Sequence, residues 1–228
     1  MKVRQWIRTT VIKALYKYSR SMAVAQTESM ANRFFNQWKF SRDRVKLFPI
    51  FQPPNFSEDQ KADSSKKHKI TCLTYVYDYK GHYDLLEALK SFDDPFISKF
   101  QFTIDKSSID ESRVDPRVLE KVNFIGQLPH EEVMKEIRES KFVVHPSKAE
   151  SFGLVLVECA EIGVPIICPD LPYVNDVISG AYIYKNNHIE SMVDVIRLVE
   201  ESHNLRIPTL VVEDKTEEFI SFLVEENE

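Results

Sequence analysis

The sequence predicts an α/β chain built on a Rossmann-like, doubly wound parallel sheet, preceded by a short helix-and-strand segment. Between residues 70 and 201, short β-branched and aromatic runs alternate with amphipathic helical stretches, the pattern of βαβ units. All five glycines, Gly81, Gly126, Gly153, Gly163 and Gly180, fall inside that interval, at joints between strand and helix where positive φ or a close backbone approach is needed. The 228 residues, 43% hydrophobic and 29% charged, suffice for one large domain and a smaller piece. Their apolar stretches stay far short of the roughly 18 residues a membrane-spanning helix needs.

The first regular signal is helical. Over residues 3–18, Val3, Ile7, Val11, Ala14, Leu15 and Tyr18 recur at helical spacing, while Lys2, Arg4, Arg8, Lys13, Lys17 and Arg20 supply a basic face too polar for a secretory leader. Residues 22–25 read as a short strand, Thr27 as the cap of a helix running to about 38, and 45–48 as a second strand ended by Pro49. Residues 52–69 open on Pro53-Pro54, continue polar and read as a linker. Beyond it, strands are expected at 70–77, 100–104, 122–125, 142–145, 164–168 and 182–184, with helices at 83–92, 131–140, 152–162, 173–179 and 189–201. The helical signal between 104 and 122 is weak, and a terminal helix with an acidic end closes the chain at 216–224. Tyr75, Tyr77 and Tyr79 alternate as a packed sheet face would.

Charge is uneven. Residues 1–50 carry a formal +9 and the remainder −14, which does not fit a uniformly basic nucleic-acid binder. Cys72, Cys159 and Cys168 sit in apolar runs, as buried thiols do in a cytoplasmic protein, and the six histidines show no metal-ligand spacing.

Residues 145–173 hold the densest chemistry. A strand ends near His145, a loop carries Glu150, and a helix opening at Ser151 to Gly153 carries Glu158 one to two turns on. A helix start without side chain at Gly153 can present N–H groups to a diphosphate, and the helix dipole adds to the attraction. A carboxylate is a poor phosphate ligand, so Glu150 faces hydroxyls or a developing positive charge, while Glu158 is placed for a ribose hydroxyl pair. The bland alternative for both is a surface or capping role.

This stretch resembles the C-terminal, donor-binding domain of GT-B fold glycosyltransferases of family 4, the glycosyl transferases group 1. Their hallmark is two glutamates separated by seven residues with Ser/Gly-Phe-Gly-Leu between them and Gly-Val-Pro after; here stand Glu150, Ser151-Phe152-Gly153-Leu154, Glu158 and Gly163-Val164-Pro165. Upstream, residues 122–128 followed by His130-Glu131-Glu132-Val133 are similar to the family's strand, glycine turn and helix, and 75–82 to its first strand and Lys-Gly turn. Downstream, 170–177 match the following loop and helix. The resemblance implies that Glu150 lies by the transferred sugar as the catalytic residue. It implies further that Lys80 neutralises the leaving diphosphate, that Gly126, Gln127 and Leu128 border the nucleobase, that Ser151, Phe152, Gly153 and Leu154 hold the sugar or diphosphate, and that Glu158 binds the ribose. The implied substrate is a UDP- or GDP-linked sugar, transferred with retention to an acceptor hydroxyl in polysaccharide or glycoconjugate synthesis, with no cofactor or metal required. Tyr75 departs from the pattern, standing where many members have an Arg, which leaves the diphosphate with less charge compensation. His82 is either a polar partner in the site or a helix cap, and His145 reads as a half-buried, hydrogen-bonded histidine.

An enzyme of this type carries a second, amino-terminal domain for the acceptor, and too few residues precede 70 for one. Residues 1–55 are therefore expected to be a remnant of that domain or a docking segment, 56–69 a linker, 70–205 the nucleotide-sugar domain, and 206–228 an acidic terminal helix. Two readings stay open. The chain is an active glycosyltransferase subunit or truncated form, or it is a non-catalytic nucleotide-sugar-binding module that needs a partner chain. The expected partners are the nucleotide sugar, a polypeptide supplying the acceptor domain or a second copy of the chain, and an anionic membrane surface for the basic helix. That places the protein in the cytoplasm or peripherally on the inner face of a membrane.

Overall fold

The computed structural model describes residues 22–51 and 67–225, so the basic helix read at 3–18 and most of the linker lie outside the described residues. The chain divides into two compact units, one holding 22–51 with 212–225 and the other holding 67–211.

In the first unit, β1 (Ala23–Ala25), α1 (Glu28–Asn36) and β2 (Val45–Leu47) form a βαβ element, with Ala23 opposite Val45 and Ala25 opposite Leu47 in a parallel pair. Thr27 caps α1 as its sequence position predicts, its hydroxyl accepting from the Met30 N–H at 3.1 Å. The helix turns Ala31 and Phe34 inward against Ala25 and Phe40, and the Phe34 ring stacks on Phe40 at 5.4 Å.

The second unit holds a six-stranded, all-parallel sheet. Its strands are β3 (Ile70–Cys72), β4 (Phe100–Phe102), β5 (Asn123–Phe124), β6 (Phe142–Val144), β7 (Ile166–Pro169) and β9 (Tyr182–Tyr184), in spatial order 5-4-3-6-7-9. The order reverses between β3 and β6, the switch point at which open parallel sheets leave a crevice beyond their carboxyl ends. Connecting them are α2 (His82–Leu89), α3 (Asp94–Ile97), α4 (Pro116–Lys121), α5 (His130–Glu139), α6 (Leu154–Ile162), α7 (Pro172–Val177) and α8 (Ile189–Glu201). Strands β3, β4 and β6 are buried at every position, as a sheet covered on both faces requires, and Leu85, Leu89, Phe100, Phe142 and Ile196 are among the residues filling the core. Away from the crevice, the Glu200 carboxylate joins Lys99 at 2.6 Å and Lys141 at 2.9 Å.

Several boundaries differ from the sequence reading. β3 ends at Cys72 rather than 77 because both its neighbours have ended, and Thr74 closes the ladder by donating its N–H to Thr103 Oγ1 at 3.0 Å. Helix α6 opens at Leu154, not 152, since Gly153 sits at φ +87° and cannot belong to the helix. The helix expected at 173–179 stops at Val177, and β8 (Ile178–Ser179) pairs antiparallel with β10 (Thr209–Leu210). The sequence reading has no helix at α3 and only a weak signal at α4, because each is short and begun by an aspartate cap and a proline. The terminal helix α9 (Thr216–Glu225) belongs to the first unit, where Phe219 and Phe222 lie 5.5 and 5.4 Å from Phe48, and Phe51 N–H donates to Asp214 at 2.9 Å.

Candidate active site

Two loops at the carboxyl ends of the central strands form the core of the site. The loop after β3 carries Lys80 and turns at Gly81; the loop after β6 carries His145, Ser147 and Glu150. They meet because Gly81 adopts φ +71°, and a Cβ added there would sit 2.1 Å from the Pro146 carbonyl oxygen. Only glycine allows both the left-handed turn and the approach. The Lys148 N–H donates to the Tyr79 carbonyl at 2.7 Å, and the Lys148 ammonium pairs with Asp84 at 2.6 Å.

This juxtaposition brings Lys80 Nζ to 2.6 Å from Glu150 Oε1, with both side chains largely shielded (16% and 13% exposed). His145 Nε2 lies 3.4 Å from the same oxygen, within ion-pair range but out of hydrogen-bond alignment, so that both nitrogens of this buried ring lack a hydrogen-bond partner. The half-buried, satisfied histidine expected from the sequence is thus corrected: His145 is buried and aimed at a carboxylate. Burial works against ionisation of Glu150, but His145, Lys80 and Ser147 outweigh it and hold the carboxyl down to about 2. Glu150 is therefore a fixed anion at any physiological pH, suited to facing positive charge and unsuited to donating a proton.

Glu158, on the second turn of α6, is buried, and its Oε1 lies 3.0 Å from Nε2 of the exposed His130 at the start of α5. Here burial prevails: the Glu158 carboxyl is raised above the usual carboxylate range, with His130 and His145 opposing. His145 thus acts on both carboxylates. The two shift in opposite directions because His145 and Lys80 together outweigh burial at Glu150, whereas His130 and His145 do not outweigh it at Glu158.

Helix α6 starts from Gly153, and α2 from Gly81; neither receives a side-chain cap, so both helix starts can offer N–H groups to an anion. Phe152 is buried, while Ser151 and Leu154 are exposed. Gly126 takes φ +76° after β5, with Gln127 exposed and Leu128 half-buried between it and α5. His82, at the first position of α2, is fully buried with neither ring nitrogen hydrogen-bonded, which excludes the capping role considered for it; burial and Arg113 lower its affinity for a proton. Sequence reasoning missed the parts played by His130 and Tyr173. The buried Tyr173 donates its hydroxyl to the Ser147 carbonyl at 2.8 Å and flanks Gly153, tying the Glu150 loop to the start of α6. Its place after Pro172 in the matching downstream stretch was the available signal. Tyr75, Tyr77 and Tyr79, expected on a packed sheet face, are instead exposed beyond the end of β3.

Among the described residues no three His, Cys, Asp or Glu side chains converge in a way that could hold a metal ion. Among them, too, no helix is long and apolar enough to cross a membrane.

The chain is similar to a known family and to several known proteins. Residues 55–207 match the family described as Glycosyl transferases group 1. An uncharacterized 41.2 kDa protein in the cps region of Klebsiella pneumoniae is 25% identical over 211 residues, 85% of this chain and 56% of that protein. A Mycobacterium tuberculosis glycogen synthase is 36% identical over 63 residues, 28% of this chain and 15% of its own length. Among solved structures, Anabaena HepE in complex with UDP and glucose superposes with a TM-score of 0.68 at 16% identity, covering 85% of this chain and 57% of HepE. Sucrose-phosphate synthase from Thermosynechococcus elongatus gives 0.66 at 17% identity, covering 86% and 53%. The chain thus spans little more than half of these structures, which share its fold.

Proposed function

We propose, from the premise that this chain belongs to the glycosyl transferases group 1 family, that its larger unit binds a nucleoside-diphosphate sugar and supplies the catalytic groups for transferring the sugar to an acceptor hydroxyl. The observation that carries this reading is the Lys80–Glu150 pair at 2.6 Å, beside His145 and between two uncapped helix starts. In the transfer, the bond from the anomeric carbon to the diphosphate breaks with its electrons leaving on the nucleoside diphosphate. The acceptor oxygen bonds to that carbon and gives up its proton to an oxygen of the departing diphosphate. Negative charge grows on the diphosphate, which Lys80 and the helix starts at Gly81 and Gly153 offset; positive charge grows at the anomeric carbon, which the permanently ionised Glu150 faces. Glu158 accepts from the ribose hydroxyls, and the turn at Gly126, Gln127 and Leu128 borders the base. Retention of configuration, independence of metal and cofactor, and a role in polysaccharide or glycoconjugate assembly complete the proposal. That HepE is known bound to UDP and glucose, and that the Klebsiella relative lies in a cps region, support it.

Titration calorimetry with UDP-glucose and GDP-mannose tests the donor site. Binding of at least one is expected, weakened more by Glu158→Ala or Lys80→Ala than by Glu150→Ala. Absence of binding by either at millimolar concentration refutes it. The alternative, a binding module needing a partner chain for activity, predicts the same binding with no hydrolysis or transfer.

A further inference from the structure

Tyr75, Tyr77 and Tyr79 are 56%, 59% and 46% exposed, three aromatic rings within five residues beyond the end of β3. Contiguous exposed apolar surface marks interaction sites. The Tyr77 and Tyr79 rings are stacked, 5.6 Å apart and 12° from parallel, so each covers part of one face of the other and the pair stands as a preformed aromatic block with its outward ring surface exposed. Tyr79 also has Lys80 Nζ 5.5 Å from its ring centroid, and that same ammonium contacts Glu150. The platform therefore adjoins the Lys80–Glu150 end of the site and not the Glu158–His130 end.

We propose that Tyr77 and Tyr79, with Tyr75 upstream, form a stacking platform for pyranose rings of a carbohydrate acceptor. The inference rests on the donor-site reading above, which sets the sugar end of the donor at Glu150 and the base at the turn after β5. An acceptor, whichever domain holds the rest of it, must bring its hydroxyl to the sugar end, which the tyrosines adjoin through Lys80 and Glu150; a nucleobase belongs at the other. The chemistry fits the occupant. One face of a pyranose is a layer of C–H groups with slight positive charge, which the negative π-face of a tyrosine attracts, while its hydroxyls can reach the phenol oxygens and water at the rim. A tyrosine has few rotatable bonds, so little conformational entropy is lost on binding.

Saturation-transfer NMR on the full chain tests this directly, with maltohexaose and cellohexaose as probes and without nucleotide. Both glucans are expected to receive saturation. Tyr77→Ala and Tyr79→Ala are expected to weaken binding roughly five- to tenfold each, while Tyr77→Phe and Tyr79→Phe keep it within about twofold, because the ring face is what binds. UDP affinity, measured on the same proteins, should stay within about twofold throughout and shows that the variants are folded. Absence of transfer to either glucan overturns the proposal, as does unchanged glucan binding by the alanine variants. So does a loss confined to UDP, which would make the tyrosines donor contacts, or a wild-type dimer that dissociates in Tyr77→Ala, which would make them a contact between copies. Should wild type bind glucans but no nucleotide, the donor-site reading fails and the platform does not.

Discussion

Replacing Lys80 by methionine keeps the stem and deletes the charge 2.6 Å from Glu150. Holding the Glu150 carboxyl at about 2 rather than 4.5 stabilises its ionised form in the fold by about 3 kcal/mol. That is the net of burial, which opposes ionisation, and three favourable partners, of which Lys80 is one, so its removal should destabilise the protein by about 1–2 kcal/mol at pH 7. The pH dependence identifies the cause. A carboxyl depressed in the fold contributes fully above its unfolded value of 4.5, and the contribution is lost as pH falls toward about 2, because the unfolded chain takes up the proton first. Lys80→Met raises the folded value and narrows that window, so the stability gap between wild type and variant should be full at pH 7 and close as pH falls below 4. Urea unfolding at pH 7, 5, 4 and 3 measures it. A gap equal at pH 7 and pH 3 would refute the electrostatic origin and point to lost packing of the lysine stem; no gap at any pH would mean the pair is solvated.

Gly81→Ala should lower stability by more than about 3 kcal/mol, combining the left-handed penalty of about 1–2 kcal/mol with a Cβ forced against the Pro146 carbonyl; an unfolding midpoint near wild type would contradict the geometry. His130→Ala removes one of the two histidines that oppose burial at Glu158, so the acid limb of UDP binding should move to higher pH, which calorimetry between pH 5 and 8 can follow. Glu200→Gln weakens the bridge from α8 to Lys99 and Lys141 and should reduce stability by about 1 kcal/mol at pH 7, and by less once the pH falls through the wild-type carboxyl's depressed range, as thermal unfolding at the two pH values would report.

Much of this was legible in the sequence because it is periodic or local. The alternation from 70 to 201 and the glycines at the joints predict a parallel sheet with its helices, and the Thr27 cap and the exact span of α8 follow from residues adjacent in the chain. What escaped depends on neighbours far along it. Nothing in residues 70–77 tells that the pairing of β3 with β4 stops at Cys72 and with β6 at Thr71, so the tyrosines beyond read as a sheet face when they stand in solvent. The motif residues Lys80, Glu150 and Glu158 could be picked out, but not that Lys80 touches Glu150, a contact made possible by one glycine fitting against one carbonyl.

That contact sets the order of events a donor would impose. Lys80 is engaged with Glu150 before anything binds, and a diphosphate entering between the starts of α2 and α6 must compete for the same ammonium. In the proposed reaction the lysine would turn toward phosphate, and Glu150 would lose its nearest cation while keeping His145, buried and without a hydrogen-bond partner, beside it. The carboxylate would then be less well compensated. The positive charge appearing at an anomeric carbon would restore that balance in the transition state and not before. Binding and chemistry would thus draw on one charge pair in sequence, with Lys80 serving the leaving group and Glu150 the sugar, which is the differential stabilisation that acceleration requires.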